Sequence, residues 1–180
     1  MLEGKKVNLR ALEKEDLPLI AKWFSNPEFM GEYNVLNQFS SVDAEWFLGK
    51  NQFEMKLFII EKKNGTKIGY INHFHVLHPD RWFHEIGYAL IPSERNKGYC
   101  SEAVKLIVDY LFLREEVVNR IQAQTDIRNV GSQKVLETTG FKREGRIRKA
   151  FFTKGGYRDY YLYSILREEW REPKILTKTH

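Results

Sequence analysis

The chain predicts one α/β domain, built on a mixed and largely antiparallel central sheet of about seven strands flanked by about four helices. Three observations carry this. Strand-like and helix-like segments follow one another as strand, two helices, three strands, helix, strand, helix, two strands. Two turn signals, Asn64-Gly65 and Gly155-Gly156, each join two strand-like runs into a hairpin. Between the hairpins, from Glu85 to Leu113, a buried-strand pattern passes through a short basic glycine loop into an amphipathic helix.

In order along the chain, Lys5 to Leu12 reads as a first strand. Leu17, Ile20, Ala21 and Phe24 form a helical stripe, with Asp16 as its cap and Pro18 tolerated in the first turn. Asn26 to Phe39 is loop-like and aromatic, and Ser41 opens a second short helix carrying Ala44, Trp46 and Phe47. Lys56 to Glu61 and Ile68 to Leu77 are the arms of the first hairpin. Glu85 to Ile91 is apolar and aromatic enough for a buried strand, which Pro92 ends. From Ala103 onward Leu106, Ile107, Tyr110 and Leu111 share one helical face. Arg120 to Thr125 alternates like a strand, Asn129 N-caps the helix carrying Val135 and Leu136, and Gly140 ends it before Phe141. Arg146–Thr153 and Tyr157–Leu166 are the closing hairpin. The domain is expected to span 1–172, with 173–180 a flexible tail.

The loop from Arg95 to Cys100 must turn the chain and open a helix. Such a loop offers unpaired backbone N–H groups and the positive end of a helix dipole, an arrangement that suits phosphate. It is not a nucleotide P-loop, since no Gly-Lys-Ser/Thr follows, and Gly98 alone does not make a dinucleotide fingerprint. Arg95-x-x-Gly98-x-Cys100 resembles the pyrophosphate loop of the GNAT superfamily of N-acetyltransferases, Arg/Gln-x-x-Gly-x-Gly/Ala, with the small Cys100 departing from the last position. The run Asn129-x-x-Ser132-x-x-x-Leu136-x-x-x-Gly140-Phe141 resembles the second half of that superfamily. Phe141 to Gly145, followed by Gly156-x-x-Asp159-Tyr160, is similar to its RimJ/RimL-like branch. The resemblance covers Val7 to Trp170.

The resemblance implies acetyl-CoA as cofactor and acetyl transfer to a primary amine, a protein N-terminus or a small molecule, by direct attack in a ternary complex. It implies a sheet that splits beside Tyr88, Leu90 and Ile91, where the pantetheine arm pairs with backbone of that strand and of the next, through Thr125. Backbone of Arg95, Asn96, Lys97, Gly98, Tyr99, Cys100 and Ser101 would hold the pyrophosphate. Arg95 would add charge, and Asn129 would hydrogen-bond the arm. Many members carry a tyrosine acid where this chain has Leu136, which rules that acid out here. In the RimL-like branch Ser132 is the position suggested for it. Serine in a first helical turn also commonly serves the local backbone, so that reading stands beside it.

For the base, Glu85 on the central strand could take the ammonium proton directly or through a water. The alternatives are a buried carboxylate paired with an arginine, or one facing solvent. His73, His75, His78 and His84 cluster around the middle strands, and one of them could line the acceptor pocket. His73 and His75 share a strand face, but no cysteine or spaced carboxylate completes a metal set in the sequence, so no metal is expected. The acceptor pocket is read from Phe29, Tyr33 and Phe39, from Trp82 and Phe83, and from Tyr157, Asp159 and Tyr160. Aromatic walls with acidic groups suit a cationic amine.

Composition bounds the rest. The 180 residues suit one core, and no apolar run is long enough for a bilayer. No apolar signal segment follows Met1. The single cysteine, Cys100, precludes an intrachain disulfide and fits the cytoplasm; no base for a nucleophilic role lies near it in sequence. The net charge of +5 suits a polyanionic cofactor, and the basic run Lys142 to Lys149 reads as a solvated strand face, which disfavours nucleic acid. A non-catalytic coenzyme A-binding or RNA-binding protein on the same fold is the alternative. Oligomeric state is left open, a homodimer included.

Overall fold

The computed structural model describes residues 1–36, 38, 40–48, 55–76, 83–171, 173 and 175. Eight strands form one sheet in the order β1-β2-β3-β4-β5-β6-β8-β7. These are β1 (Leu2–Glu3), β2 (Val7–Ala11), β3 (Lys56–Lys62), β4 (Lys67–His75), β5 (Phe83–Leu90), β6 (Arg120–Asp126), β7 (Lys142–Thr153) and β8 (Gly156–Leu166). Every neighbouring pair is antiparallel except β5 and β6. The two-residue β1 and a short helix, α2 (Pro27–Met30), are additions to the sequence reading. The latter arises where Asn26 accepts hydrogen bonds from the N–H groups of Glu28 and Phe29 ahead of Pro27.

Alternation along the strands feeds two cores. One face carries Ile60, Ile71, Ile86 and Ile121 under α4 (Tyr99–Arg114) and α5 (Val130–Thr138), which contribute Leu106, Ile107, Leu111 and Leu136. The other carries Leu57 and Ile59 under α1 (Leu17–Phe24), α2 and α3 (Ser41–Ala44), with Ile20, Trp23 and Phe29. Trp23 stacks on Phe29 with centroids 5.1 Å apart.

Asp16 does not cap α1. Its carboxylate is buried and takes a bidentate pair from Arg10 at 2.9 Å and a third contact from Lys67 at 2.6 Å. A local cap is outbid here by two cations that β2 and β4 bring from elsewhere in the chain. Asn129 does cap α5, accepting from the Ser132 N–H at 3.1 Å, and Gly140 follows that helix at φ +97°. Most of the expected tail, like Leu77, lies outside the described residues. Ile175, however, donates its N–H to Asp109 at 2.7 Å and packs against the α4 side of the sheet. Among the described residues no helix is long and apolar enough to cross a membrane.

Candidate active site

The sheet splits between β5 and β6. They pair only at Phe83↔Arg120, His84↔Ile121 and Glu85↔Gln122. Beyond that point β5 stays with β4 as far as Leu90, while β6 stays with β8 as far as Asp126. A cavity of about 790 Å³ fills the resulting gap and reaches both sheet faces. Gly98 to Ser101, Asn129, Ser132 and Val135 line it on the α4–α5 side; Phe29, Met30, Tyr33, Tyr70 and Tyr160 line it on the other.

The loop into α4 holds two residues with left-handed backbone, Asn96 at φ 61° and Gly98 at φ 81°. Gly98 is the last residue before a sixteen-residue helix, so the N–H groups of its first turn face the cavity. Among the described residues the one heavy atom near a Cβ built at Gly98 is Lys6 Nζ, at 3.2 Å, which stands outside the cavity lining and donates to the Lys97 carbonyl at 3.4 Å. A small, cation-flanked cradle of this kind fits a pyrophosphate. Lys6 was missed from the sequence because it precedes β2, far from the loop it flanks.

Arg95 lines the cavity, but its guanidinium is spent on backbone. It donates to the carbonyls of Leu90 at 3.0 Å, Phe29 at 2.8 Å and Glu28 at 3.3 Å, so it ties the loop to α2. The expected charge donor is thus a brace. Ile91, by contrast, does not line the cavity, and its N–H donates to the Ile68 carbonyl on the β4 side. Lys97 is exposed, pairs with Glu94 at 3.0 Å and stands outside the lining. Tyr88, Leu90, Asn96, Tyr99, Cys100 and Thr125 do line it, as expected. Burial pushes the Cys100 thiol up to about 12, leaving a small neutral filler rather than a nucleophile.

Across the gap, Ser132 Oγ lies 3.0 Å from the Tyr88 hydroxyl. Burial, followed by the nearby Cys100, pushes the Tyr88 phenol far above its ordinary value, so it stays protonated. Sequence reading named both residues without foreseeing the pair. The tyrosine position expected elsewhere is Leu136, fully buried in the core. Asn129 lines the cavity with its carboxamide oxygen engaged in capping α5.

Glu85 sits at the fork, where β5 and β6 part. Glu85 is half-buried, and its partners are amides rather than an arginine: Gln122 Nε2 at 2.6 Å and Gln124 Nε2 at 3.2 Å. Glu85 itself is not in the cavity lining, but Gln124 is, so one side chain separates the carboxylate from the cleft. On the same sheet face Asp126 is buried and pairs with Arg128 at 2.7 Å, and Arg128 lies 5.4 Å from the Tyr33 ring. Gln124, Asp126 and Tyr70 were absent from the sequence reading. Strand alternation on β4 and β6 is the signal that places them on the acceptor face.

Three predicted pocket residues do not reach the pocket. Phe83 pairs with Arg120 where β5 and β6 are still joined and lies outside the lining. Tyr157 is 65 % exposed and packs edge-on against Phe152 at the hairpin tip. Asp159 accepts the Lys149 N–H at 2.7 Å and pairs with Arg146. It serves the irregular stretch of β7 where Lys149 adopts φ 51°, and these partners hold its carboxyl below the usual range. His73 and His84 are buried on the α4 face and lie outside the cavity lining, as does His75; burial holds His73 down at about 3. Lys142 to Arg148 are exposed, and Lys142 pairs with Glu169 at 2.5 Å. Trp82, Phe39 and His78 lie outside the described residues.

A split sheet with an anion-binding helix start and a cavity through the gap is an acyl-carrier cleft, and the comparisons agree with it. A family model described as an acetyltransferase (GNAT) domain matches residues 6–142. The chain is 31% identical, over 92% of its length and 96% of the relative, to YnaD of Bacillus subtilis (strain 168), an uncharacterized N-acetyltransferase. Among solved structures it superposes on the spermidine N-acetyltransferase of Vibrio cholerae in complex with CoA and spermine, with TM-score 0.80 and 23% identity over 93% of this chain and 99% of that one. It also superposes on Mycobacterium smegmatis RimJ in complex with CoA-disulfide, with TM-score 0.78 and 20% identity over 94% and 91% of the two chains. At those identities the likeness is one of fold. The chain belongs to the GNAT acetyltransferase family. It is an acetyl-CoA-dependent N-acetyltransferase that acts on an amine.

Proposed function

We propose that the acceptor amine enters from the α2 side and is deprotonated by Glu85, while the Ser132–Tyr88 pair protonates the departing thiolate. The observation that carries this is the cavity, which links the phosphate-binding loop on one sheet face to the Gln124–Glu85 fork on the other. When bound, the cofactor supplies an acetyl group activated as a thioester. The first-turn N–H groups of α4 would hold its diphosphate, with the charge of Lys6 behind Gly98 adding attraction. The facing edges of β5 and β6 align its arm, converting a bimolecular encounter into a positioned one. Glu85 takes the ammonium proton through a water beside Gln124, which delivers the amine as the free base that the attack requires. Ser132 would donate its hydroxyl proton to the departing sulfur as Tyr88 passes its own to Ser132, and Tyr88 regains a proton from water that enters the cavity when the products leave.

The acceptor in this reading is a small-molecule amine or a protein N-terminus, admitted past Phe29, Tyr33 and Tyr160. Its cationic approach is favoured by the aromatic wall. The enzyme works in the cytoplasm as one domain over residues 1–172, with no nucleic-acid or membrane partner and with a homodimer allowed.

The test is steady-state thiol release by the Glu85→Gln variant, with a polyamine, an amino sugar and a short peptide N-terminus offered in turn. Turnover should fall about 100-fold near neutral pH, the usual scale for a lost general base. The KM for acetyl-CoA should hold, and the deficit should shrink at high pH as the amine loses its proton unaided. Turnover unchanged within error on every active acceptor would remove Glu85 from the mechanism.

A further inference from the structure

At the end of the sheet away from the phosphate loop, three side chains from three elements converge. His75 ends β4, His84 lies directly opposite it on β5, and Glu115 follows the last residue of α4. The two imidazoles stack with centroids 4.4 Å apart and planes 6° from parallel. Glu115 Oε2 lies 3.0 Å from His84 Nε2 and 3.9 Å from His75 Nε2. One nitrogen from each ring and a carboxylate oxygen all fall within 4.8 Å of one another. This grouping lies outside the lining of the acetyl-transfer cavity.

We infer that His75, His84 and Glu115 form a binding site for one divalent ion of the zinc class, separate from the acetyl-transfer cleft. Two imidazoles and one carboxylate suit zinc and its neighbours, whereas calcium and magnesium demand oxygen cages. Ligand atoms about 2.0–2.1 Å from a tetrahedral ion stand about 3.3 Å apart. The 3.0 Å contact already meets that spacing; because an ion lies in the plane of each ring it binds, His75 must turn out of its stack with His84 for both lone pairs to meet at one point, which also closes the 3.9 Å contact. Of the two rings His75 is the one nearer solvent, its side chain 11% exposed against 3% for His84, so it is the ring that turns. Glu115 Oε1 faces Arg114 Nε at 3.7 Å, which leaves Oε2 as the ligand atom. The carboxylate is 21% exposed, so an ion has an entry path, and among the described residues no fourth protein ligand joins the three.

The surroundings supply the support that such ligands require. A metal-bound imidazole is oriented by donating its other ring N–H. Here His84 Nδ1 lies 3.2 Å from Nδ1 of the buried His73. With an ion on His84 Nε2, the proton of His84 sits on Nδ1 and is given to His73 Nδ1. Without one, His84 Nε2–H points to Glu115 and His73 Nδ1–H points to His84. Binding therefore reverses the tautomers of both rings. No sequence spacing announces the set, because Glu115 arrives from a helix end on the far side of the phosphate loop.

The experiment uses the untagged full chain, stripped with a chelator and dialysed against zinc, with cobalt(II) as the spectroscopic probe. One ion per chain is expected, with a visible cobalt spectrum of tetrahedral intensity. Zinc at about 100 times its dissociation constant should raise Tm by about 5–10 °C. His75→Ala and Glu115→Gln, at partly exposed positions that leave the core intact, should each weaken binding by at least about 10-fold. In the parent chain, ¹⁵N spectra of the imidazoles should show His84 and His73 exchanging tautomers on zinc addition. The inference is overturned if the parent chain takes up no stoichiometric zinc, if both variants bind as tightly as the parent, or if neither ring changes tautomer.

Discussion

Ser132 and Tyr88 are two weak acids that matter only as a pair. A serine hydroxyl alone is a poor proton source, and a buried tyrosine with a raised pKa holds its proton until a neighbour that has just lost one draws on it. Held 3.0 Å apart, one donates while the other refills it. Tyr88→Phe and Ser132→Ala should therefore each lower kcat by about 10-fold while leaving acetyl-CoA affinity within about twofold. The double variant should be no worse than either single one, since residues that act as a unit are not additive. Steady-state thiol release reads this directly, and additive losses would dissolve the pair. Both residues were legible in the chain, Ser132 from its spacing to Asn129 and Tyr88 from its strand. Their contact was not, because it spans the gap between β5 and α5.

The strand–loop–helix from β5 to α4 is the element on which the chemistry rests. Its geometry depends on Gly98, whose left-handed backbone would cost a side-chain-bearing residue about 1–2 kcal/mol. Gly98→Glu adds that strain and places a carboxylate at the first turn of α4, where the diphosphate lies. The melting midpoint of this variant should no longer respond to saturating acetyl-CoA, whereas the parent should rise by several degrees. Circular dichroism matching the parent would confirm that the fold survives. A retained shift would disprove the loop assignment. Arg95 shows the limit of motif reading at this scale: the residue type and position were legible, yet its guanidinium braces α2 instead of facing the cleft. A motif records which residues occur and cannot record which carbonyls the fold will leave within their reach.

For the whole molecule, the Asp16 cluster links β2, β4 and the entry to α1. Burial raises the Asp16 carboxyl, but hydrogen bonds from Arg10 and Lys67 outweigh this and bring it down to about 2. Glu144, paired with Arg120 and then Ser164, also falls to about 2. Each binds a proton less readily when folded than unfolded, so the stabilisation is complete above the unfolded values near 4 and is lost as pH falls toward 2. For Asp16 the linkage amounts to about 2 kcal/mol at neutral pH. Asp16→Asn leaves Arg10 and Lys67 facing an amide and should cost about 2–3 kcal/mol at pH 7, a drop in Tm of roughly 5–10 °C. The difference between parent and variant should narrow as pH falls from 4 to 2. A constant difference across that range would show that the carboxylate's charge is not what stabilises the fold.

The sequence by itself determined the order of the principal elements, both hairpins and the phosphate loop with its helix, because each is written in local periodicity, turn chemistry or a contiguous motif; the cofactor followed from the resemblance those motifs carry. It also marked Glu85, Ser132 and Asn129, which lie on those elements. Only the tertiary structure decided which polar groups meet. Glu85 between two glutamines, Arg95 against α2, Lys6 over Gly98 and Asp159 turned away from the pocket all depend on strand register and on helices packed from distant parts of the chain. Hydrophobic alternation fixes which face a residue occupies. The partner it finds there is chosen by geometry that sequence spacing does not encode.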